Sequence, residues 1–256
     1  LKKIDIAANF VAQNLALFIC PVCQAPMQSV DEHSVICENG HSLDFNKHGY
    51  LYFLTHGVKS EYGDGMLSAR RQILTAGLFD PIINHINQQL SDQPQKILDV
   101  GCGEGTPLSK LEHLRDNRDT AIGFDISKDG INLATQLPTD AFFCLADLRN
   151  LPFADHSFET IIELFSPSDY QEFKRLLAPD GTLYKVIPNA GYLQEIRKLL
   201  YPDGELSTYD NQNVLTLFKE HFEHVTVKQL QYQFEVPENL RAKIIEMTPL
   251  HWGKNA

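Results

Sequence analysis

One stretch, Lys96-Ile-Leu-Asp-Val-Gly-Cys-Gly-Glu-Gly105, restricts what this chain can fold into more than any other. Ile97, Leu98 and Val100 form an apolar run that passes at once into Gly101, Gly103 and Gly105. Apolar residues on both faces of a strand indicate a parallel sheet covered on both sides. Glycines directly after it indicate a tight turn whose backbone can take positive φ and approach a ligand closely. In doubly wound α/β folds such a turn, at the carboxyl end of the first strand, is where a nucleotide-like ligand sits. Strand-like runs near 96–100, 120–125, 141–146, 158–165 and 181–187 alternate with helical ones. That alternation predicts an α/β fold with a mostly parallel sheet between helices. Val225, Val227, Leu230 and Phe234 predict a last antiparallel strand within 225–236.

The chemistry around the turn narrows the ligand. The dinucleotide fingerprint spaces its glycines G-x-G-x-x-G around an anionic pyrophosphate. Here the spacing is G-x-G-x-G, with Asp99 before it and Glu104 within it. Acids repel a pyrophosphate and suit a cofactor bearing a sulfonium and an ammonium, which is S-adenosylmethionine. Asp125 ends the next apolar run, 20 residues beyond Gly105, where an acid can accept both ribose hydroxyls. Asp147 ends the third, 22 residues later, and is placed to meet the adenine amino group with Leu148 against the ring. Either acid can equally cap a following helix. At the ends of the fourth and fifth strands, Phe165-Ser-Pro167 faces the transferred methyl, and Tyr192 can reach back to the cofactor. Phe165 is a candidate for stacking on a planar base and Asp169 a candidate proton acceptor.

A second constellation lies near the N-terminus. Cys20-x2-Cys23 is followed after thirteen residues by Cys37-x3-His41. Two close pairs of soft or borderline ligands suit tetrahedral Zn²⁺ in a structural Cys3His site. Met27–Ile36 reads as a hairpin between the pairs, with Asp31 and Glu32 at its tip. Ile4, Ala8, Val11 and Leu15, with Phe10 and Phe18, have helical spacing and read as packing. His48–Leu54 reads as a strand extending the small domain. In the main domain Gly77 fits a helix end, and Asp80-Pro81 a helix start capped by the acid. Arg70 and Arg71 fall on the polar side of the helix before it. The expected organisation is a zinc-binding domain over 1–56, a linker and connecting helix over 57–80, and a cofactor-binding domain over 81–256.

Composition bounds the partners. Of 256 residues 43% are hydrophobic, enough for a sizeable core. The net charge of −11 disfavours a broad basic face, leaving Arg70-Arg71 and Arg197-Lys198 as local candidates for nucleic acid. Five cysteines, two of them (Cys102, Cys144) beside core strands, argue against a disulfide framework. No apolar run reaches the roughly 20 residues that span a bilayer, and the N-terminal stretch lacks a signal-peptide cleavage pattern. The expectation is a cytoplasmic protein without membrane contact.

Many pieces together resemble one family. They are Cys20-x2-Cys23 and Cys37-x3-His41, His48-Gly-Tyr50, Gly63-Asp64, Ala69-Arg-Arg71, and Ala76-Gly77 with Phe79. Then come Leu98–Gly105, Leu151-Pro-Phe153, Phe165-Ser-Pro167, Tyr201 after a double leucine, and Met247-Thr-Pro249 with Trp252. This arrangement, spanning nearly the whole chain, resembles the 23S ribosomal RNA (guanine-N1) methyltransferases. The resemblance implies a Rossmann-like class I methyltransferase domain with a seven-stranded-type sheet behind a zinc finger that helps to recognise RNA. It implies cofactor contacts at Phe79, Gly103, Glu104 and Tyr192, and a guanine in a hairpin of 23S rRNA as substrate. A second copy of the chain is a further candidate partner. Two other readings stay open: a small-molecule methyltransferase, and a zinc-dependent RNA-binding protein whose catalytic fold has decayed.

Overall fold

The computed structural model describes residues 1–55, 57, 64–202, 210–248 and 250. Gly63, Pro249, Trp252 and most of the 57–65 stretch lie outside the described residues. The chain opens with α1 (Lys3–Gln13), which buries Ala7, Ala8 and Val11 at the expected spacing. A 3-10 turn at Leu15–Leu17 leads into β1 (Met27–Asp31), β2 (Ser34–Cys37) and β3 (Ser42–Asp44), an antiparallel sheet in that order. The hairpin turns at Glu32-His33, with Asp31 opposite Ser34.

After β4 (Tyr50–Tyr52) come α2 (Asp64–Thr75), α3 (Asp80–Gln89), β5 (Lys96–Val100), α4 (Thr106–Leu114), β6 (Thr120–Asp125), α5 (Lys128–Ala134) and β7 (Phe142–Leu145). The chain continues through β8 (Phe158–Leu164), α6 (Tyr170–Leu176), β9 (Leu177–Val186), α7 (Gln194–Leu200), α8 (Gln212–His221) and α9 (Arg241–Glu246). Six strands form one sheet in the order β4-β7-β6-β5-β8-β9, every pairing parallel. Successive residues alternate between two cores. Leu98, Val100, Ile122 and Phe124 face Phe18, Phe153 and Phe173. Ile97, Ala121 and Ile162 face the helices α2 to α5 through Ile73, Ile83, Leu111 and Ile131.

Three expectations need correction. The strand within 48–54 does not extend the small domain; Tyr50–Tyr52 pairs with Phe143–Leu145 at the edge of the large sheet. Tyr50 and Leu51 are buried on opposite faces, and only a sheet covered on both sides accommodates that. No strand forms within 225–236. Alternation creates a strand only where a neighbour offers a hydrogen-bonding edge. Here Phe234 and Val236 pack onto the helix-side core, and the Tyr232 hydroxyl donates to the Leu78 carbonyl at 2.9 Å. At the start of α3 the cap position belongs to Phe79, and the Asp80 carboxylate accepts instead from Lys110 Nζ at 2.5 Å.

The N-terminal module is joined to this sheet by backbone as well as side chains. Phe18 bridges Phe153, the Ile19 N–H donates to the Pro152 carbonyl at 3.0 Å, and the Phe10 ring stacks on Phe142 at 5.2 Å. Gly49 has φ +83°, and a Cβ there would meet the Lys3 carbonyl oxygen at 2.7 Å. The close crossing of α1 over the entry to β4 therefore requires glycine.

One buried group makes stability depend on pH. Glu112 on α4 is fully buried and meets no N–H or O–H donor among the described residues. Burial, then the charge of Asp119, pushes its carboxyl from near 4.5 up to about 8. Between those values the folded protein keeps a proton that the unfolded chain releases, so stability falls as pH rises through that window. Glu112→Gln removes the titration at nearly the same shape. Its melting temperature should exceed that of the wild type at about pH 9 and converge with it near pH 5. Parallel melting curves at both pH values would refute the assignment.

Candidate functional site

The three glycines turn out to have three different reasons to be glycine. All have positive φ: +65° at Gly101, +57° at Gly103 and +84° at Gly105. A Cβ on Gly101 would lie 2.7 Å from Ser166 Cβ, so this glycine admits the loop after β8. That loop is tied back by Ser166 Oγ, which donates to the Val100 carbonyl at 2.7 Å. A Cβ on Gly105 would lie 2.8 Å from Ala134 Cβ and 3.0 Å from the Phe143 ring, so this glycine lets α4 start hard against α5 and β7. Gly103 alone of the three faces open space, with nothing among the described residues within 4 Å of the added atom. Of the three, only Gly103 leaves room for the close backbone approach expected of this turn.

Acids converge on the same turn. Asp125 Oδ2 accepts from the Gly103 N–H at 2.8 Å and Oδ1 from the Ser127 N–H at 2.7 Å. Burial raises its carboxyl above the usual range, and those N–H bonds oppose the rise. Each oxygen of a carboxylate has a further lone pair, so both can still accept a ribose hydroxyl. The capping alternative fails for Asp125, because Ser127 Oγ caps α5 by accepting from the Gly130 N–H. Asp147 begins no helix; it accepts from the Arg149 N–H at 3.0 Å and pairs with the exposed Arg149 guanidinium at 3.0 Å. Asp99 is almost wholly buried and lines a small apolar cavity with Ile83, Ile86 and Leu108. Burial first, then the charges of Asp125 and Glu104, pushes its carboxyl up to about 7.

Glu104 is buried and already bonded. Its Oε2 accepts from Arg71 Nε at 3.0 Å and from Thr106 Oγ1 at 2.5 Å, while its carbonyl accepts from Arg71 Nη2 at 2.6 Å. Arg71 thereby locks α2 to the glycine turn. Neither arginine candidate for an exposed basic face behaves as one. Arg71 turns inward, and its neighbour Arg70 places its guanidinium 5.7 Å from the centroid of the Phe79 ring. Arg197 is buried and donates to the Tyr192 carbonyl at 3.2 Å.

An aromatic wall closes one side. Phe79 and Phe165 have centroids 5.0 Å apart, and Tyr192 stacks on Phe165 at 5.6 Å. Burial raises the Tyr192 phenol above its usual range. Phe165 has φ +59°, uncommon for a bulky residue, which turns its ring between the other two. Asp169, four residues on, caps α6: its Oδ1 accepts from the Gln171 and Glu172 N–H groups, both at 3.1 Å.

Sequence reasoning missed a buried network under this loop. Lys185 Nζ donates to Glu163 Oε1 at 2.5 Å and to Ser168 Oγ at 2.7 Å, and that hydroxyl also lies 3.0 Å from both Glu163 oxygens. A signal existed: charged residues stand inside the apolar runs Ile161–Leu164 and Leu183–Val186 at adjacent positions of paired strands.

The metal candidates do come together. The ligand atoms of Cys20, Cys23, Cys37 and His41 all lie within 4.8 Å of one another. Cys23 Sγ and Cys37 Sγ are 3.8 Å apart, and His41 Nδ1 lies 3.5 Å from Cys37 Sγ and 3.7 Å from Cys20 Sγ. A tetrahedron with Zn–S near 2.3 Å and Zn–N near 2.0 Å has S–S edges of about 3.8 Å and S–N edges of about 3.5 Å. The donor set and spacing therefore fit Zn²⁺. Asn39 Nδ2 donates to Cys23 Sγ at 3.4 Å, the first cause of a thiol lowered to about 6.

Comparisons with known proteins agree in extent. A family model described as "Methyltransferase domain" matches residues 91–251, and one described as "RlmA, N-terminal" matches residues 18–59. The chain is 37% identical to YxjB of Bacillus subtilis (strain 168), named provisionally as a 23S rRNA (guanine-N(1)-)-methyltransferase, over 94% of this chain and 88% of that one. It is 28% identical to the 23S rRNA (guanine(748)-N(1))-methyltransferase of Streptomyces fradiae, over 92% and 86% of the two chains. A relative from Micromonospora griseorubida, also named provisionally for the guanine-N(1) activity, is 30% identical over 91% and 86%.

Proposed function

The chain belongs to the family of 23S rRNA (guanine-N1) methyltransferases, and we propose from this that it methylates N1 of a guanine in 23S rRNA. The observation that carries the reading within the molecule is the open face of Gly103 beside Asp125, a cradle that an added Cβ would fill. S-adenosylmethionine, when bound, supplies an electrophilic methyl carbon on a good leaving group. The protein's part is to place that carbon in line with a guanine nitrogen, and alignment alone accounts for a large share of such rates.

Asp125 accepts the ribose hydroxyls, and Asp147 the adenine amino group. Gly101, Gly103 and Gly105 shape the turn, which Glu104, held by Arg71, keeps in place. Asp99, with a carboxyl shifted to about 7, carries its charge only part of the time near neutrality, which limits repulsion among the three clustered acids. The partly exposed Phe165 and Tyr192, backed by the buried Phe79, form the wall against which a base drawn out of its stack lies, as N1 chemistry requires. Asp169 Oδ2 takes no part in the capping bonds and is the candidate acceptor of the N1 proton. Cys20, Cys23, Cys37 and His41 hold Zn²⁺ in a structural role and present the ribbon to RNA. An rRNA substrate sets the place of action in the cytoplasm, and no helix among the described residues is long and apolar enough to cross a membrane.

The test is methyl transfer from labelled S-adenosylmethionine to deproteinised 23S rRNA, with the product mapped by mass and by reverse-transcription arrest. A methyl on the Watson–Crick edge blocks pairing, so one strong stop at a guanine is expected. Label entering only a low-mass extract, or a methylated guanine that reverse transcriptase reads through, would defeat the reading.

A further inference from the structure

The pair Arg70-Arg71 sits on one turn of α2, yet the two side chains differ in circumstance. Arg71 is bonded to both the side chain and the carbonyl of Glu104. Arg70 is half-buried, and among the described residues no carboxylate lies within ion-pair distance of it. Its guanidinium stands over the Phe79 ring, and its charge is felt by Asp99, Asp125 and Tyr192. A guanidinium carries five donors and stays charged at every working pH. Partly removed from water and facing a ring, it makes a cation–π contact but leaves its fork of N–H groups uncommitted.

Arg71 pins α2 to the glycine turn, where Asp125 accepts from the Gly103 N–H, and so holds Arg70 beside that turn. Among the described residues, Arg71 is committed to Glu104 and Arg197 to the Tyr192 carbonyl, which leaves Arg70 to meet the cofactor's one anionic group. We infer that Arg70 binds the carboxylate of the methionine portion of S-adenosylmethionine, a positioning contact that sets how the sulfonium is presented. The inference rests on the cofactor reading above. Planar two-oxygen anions match the arginine fork, and Phe79 beneath keeps the guanidinium in one orientation. An RNA phosphate is the competing anion.

Two ligands separate these cases. S-adenosylhomocysteine has the amino-acid carboxylate, and 5′-methylthioadenosine has the same adenosine without it. Calorimetric titration of wild type, Arg70→Gln and Arg70→Lys with each ligand reads the contact directly, with circular dichroism to establish that each variant is folded. Arg70→Gln should bind S-adenosylhomocysteine roughly 10- to 100-fold more weakly, the usual worth of a charge-assisted pair, and methylthioadenosine as tightly as the wild type does. Arg70→Lys keeps the charge without the fork and should recover part of the loss. Equal weakening of both ligands, or of neither, overturns the assignment, as does a defect confined to RNA binding. Should Arg70→Gln not fold, Arg70→Lys decides: an unchanged ratio between the two ligands overturns the contact. A wild type that binds neither ligand removes the cofactor reading and this inference with it.

Discussion

Replacing Cys37 with serine, or stripping the metal with a chelator, is expected to unfold the ribbon and to loosen the large sheet as well. A structural Zn²⁺ site contributes on the order of 10 kcal/mol to a small finger, comparable to the whole stability of an ordinary domain. The ribbon has little else to hold it. Its buried residues Met27, Val35 and Phe45 form no core of their own but join a cluster that includes Phe18, Phe124 and Phe153. Phe18 touches Phe53, Phe142 and Phe153. Loss of the metal should therefore expose one face of β7 and the edge strand β4 to solvent. Hydrogen exchange is the suitable measurement: protection should vanish over 18–45 and fall over 50–53 and 142–145, while 96–100 and 158–164 stay protected. One equivalent of zinc should be released in step with the change. A chelated protein with unchanged exchange throughout would mean that the four ligands hold nothing of structural consequence.

Alanine at the three turn glycines should give three separate outcomes. At Gly105 the new Cβ meets Ala134 and the Phe143 ring within 3.1 Å while the backbone stays at φ +84°. Left-handed strain of roughly 1–2 kcal/mol adds to an overpacking cost of roughly 1–3 kcal/mol. A loss of about 3 kcal/mol should lower the melting temperature by roughly 6–12 °C in a domain of this size. Gly101→Ala should behave similarly, because Ser166 Cβ blocks it and Ser166 is held by the Val100 carbonyl. Gly103→Ala meets nothing and should cost only about 1–2 kcal/mol of stability. It should nevertheless weaken S-adenosylhomocysteine binding roughly 10- to 100-fold, since its methyl enters the ligand's space. Thermal melts set beside calorimetric titration distinguish the three. Equal stability losses at all three positions, with cofactor affinity intact in Gly103→Ala, would remove the distinction.

The zinc ligands and the glycine turn were legible because both are short-range. Two ligand pairs separated by a hairpin meet whatever the rest of the chain does, and their spacing declares the ion. Gly101, Gly103 and Gly105 after Ile97–Val100 declare a strand, a turn and a helix, since positive φ is a property of the residue itself. The alternation of strand and helix likewise announced the parallel sheet. Legibility ended where a residue's role depends on a distant partner. Val225–Val236 alternates like a strand yet pairs with none. Tyr50–Tyr52 leaves the ribbon for the edge of the large sheet because two buried faces must be covered.

Arg70 and Arg71 read as a polar helix face, and folding turned both inward, one onto Glu104 and one over Phe79. Glu163 and Lys185 read as irregularities in apolar strands and became a buried pair under the loop that carries Phe165. The order of residues alone determined the fold class, the ion and the chemical nature of the cofactor, each written in local spacing. Tertiary structure alone decided which of the three glycines faces open space, which arginine of the adjacent pair has no carboxylate partner among the described residues and where the ribbon docks. Packing brings Ser166 to Gly101 and Phe143 to Gly105, and no local pattern encodes those distances.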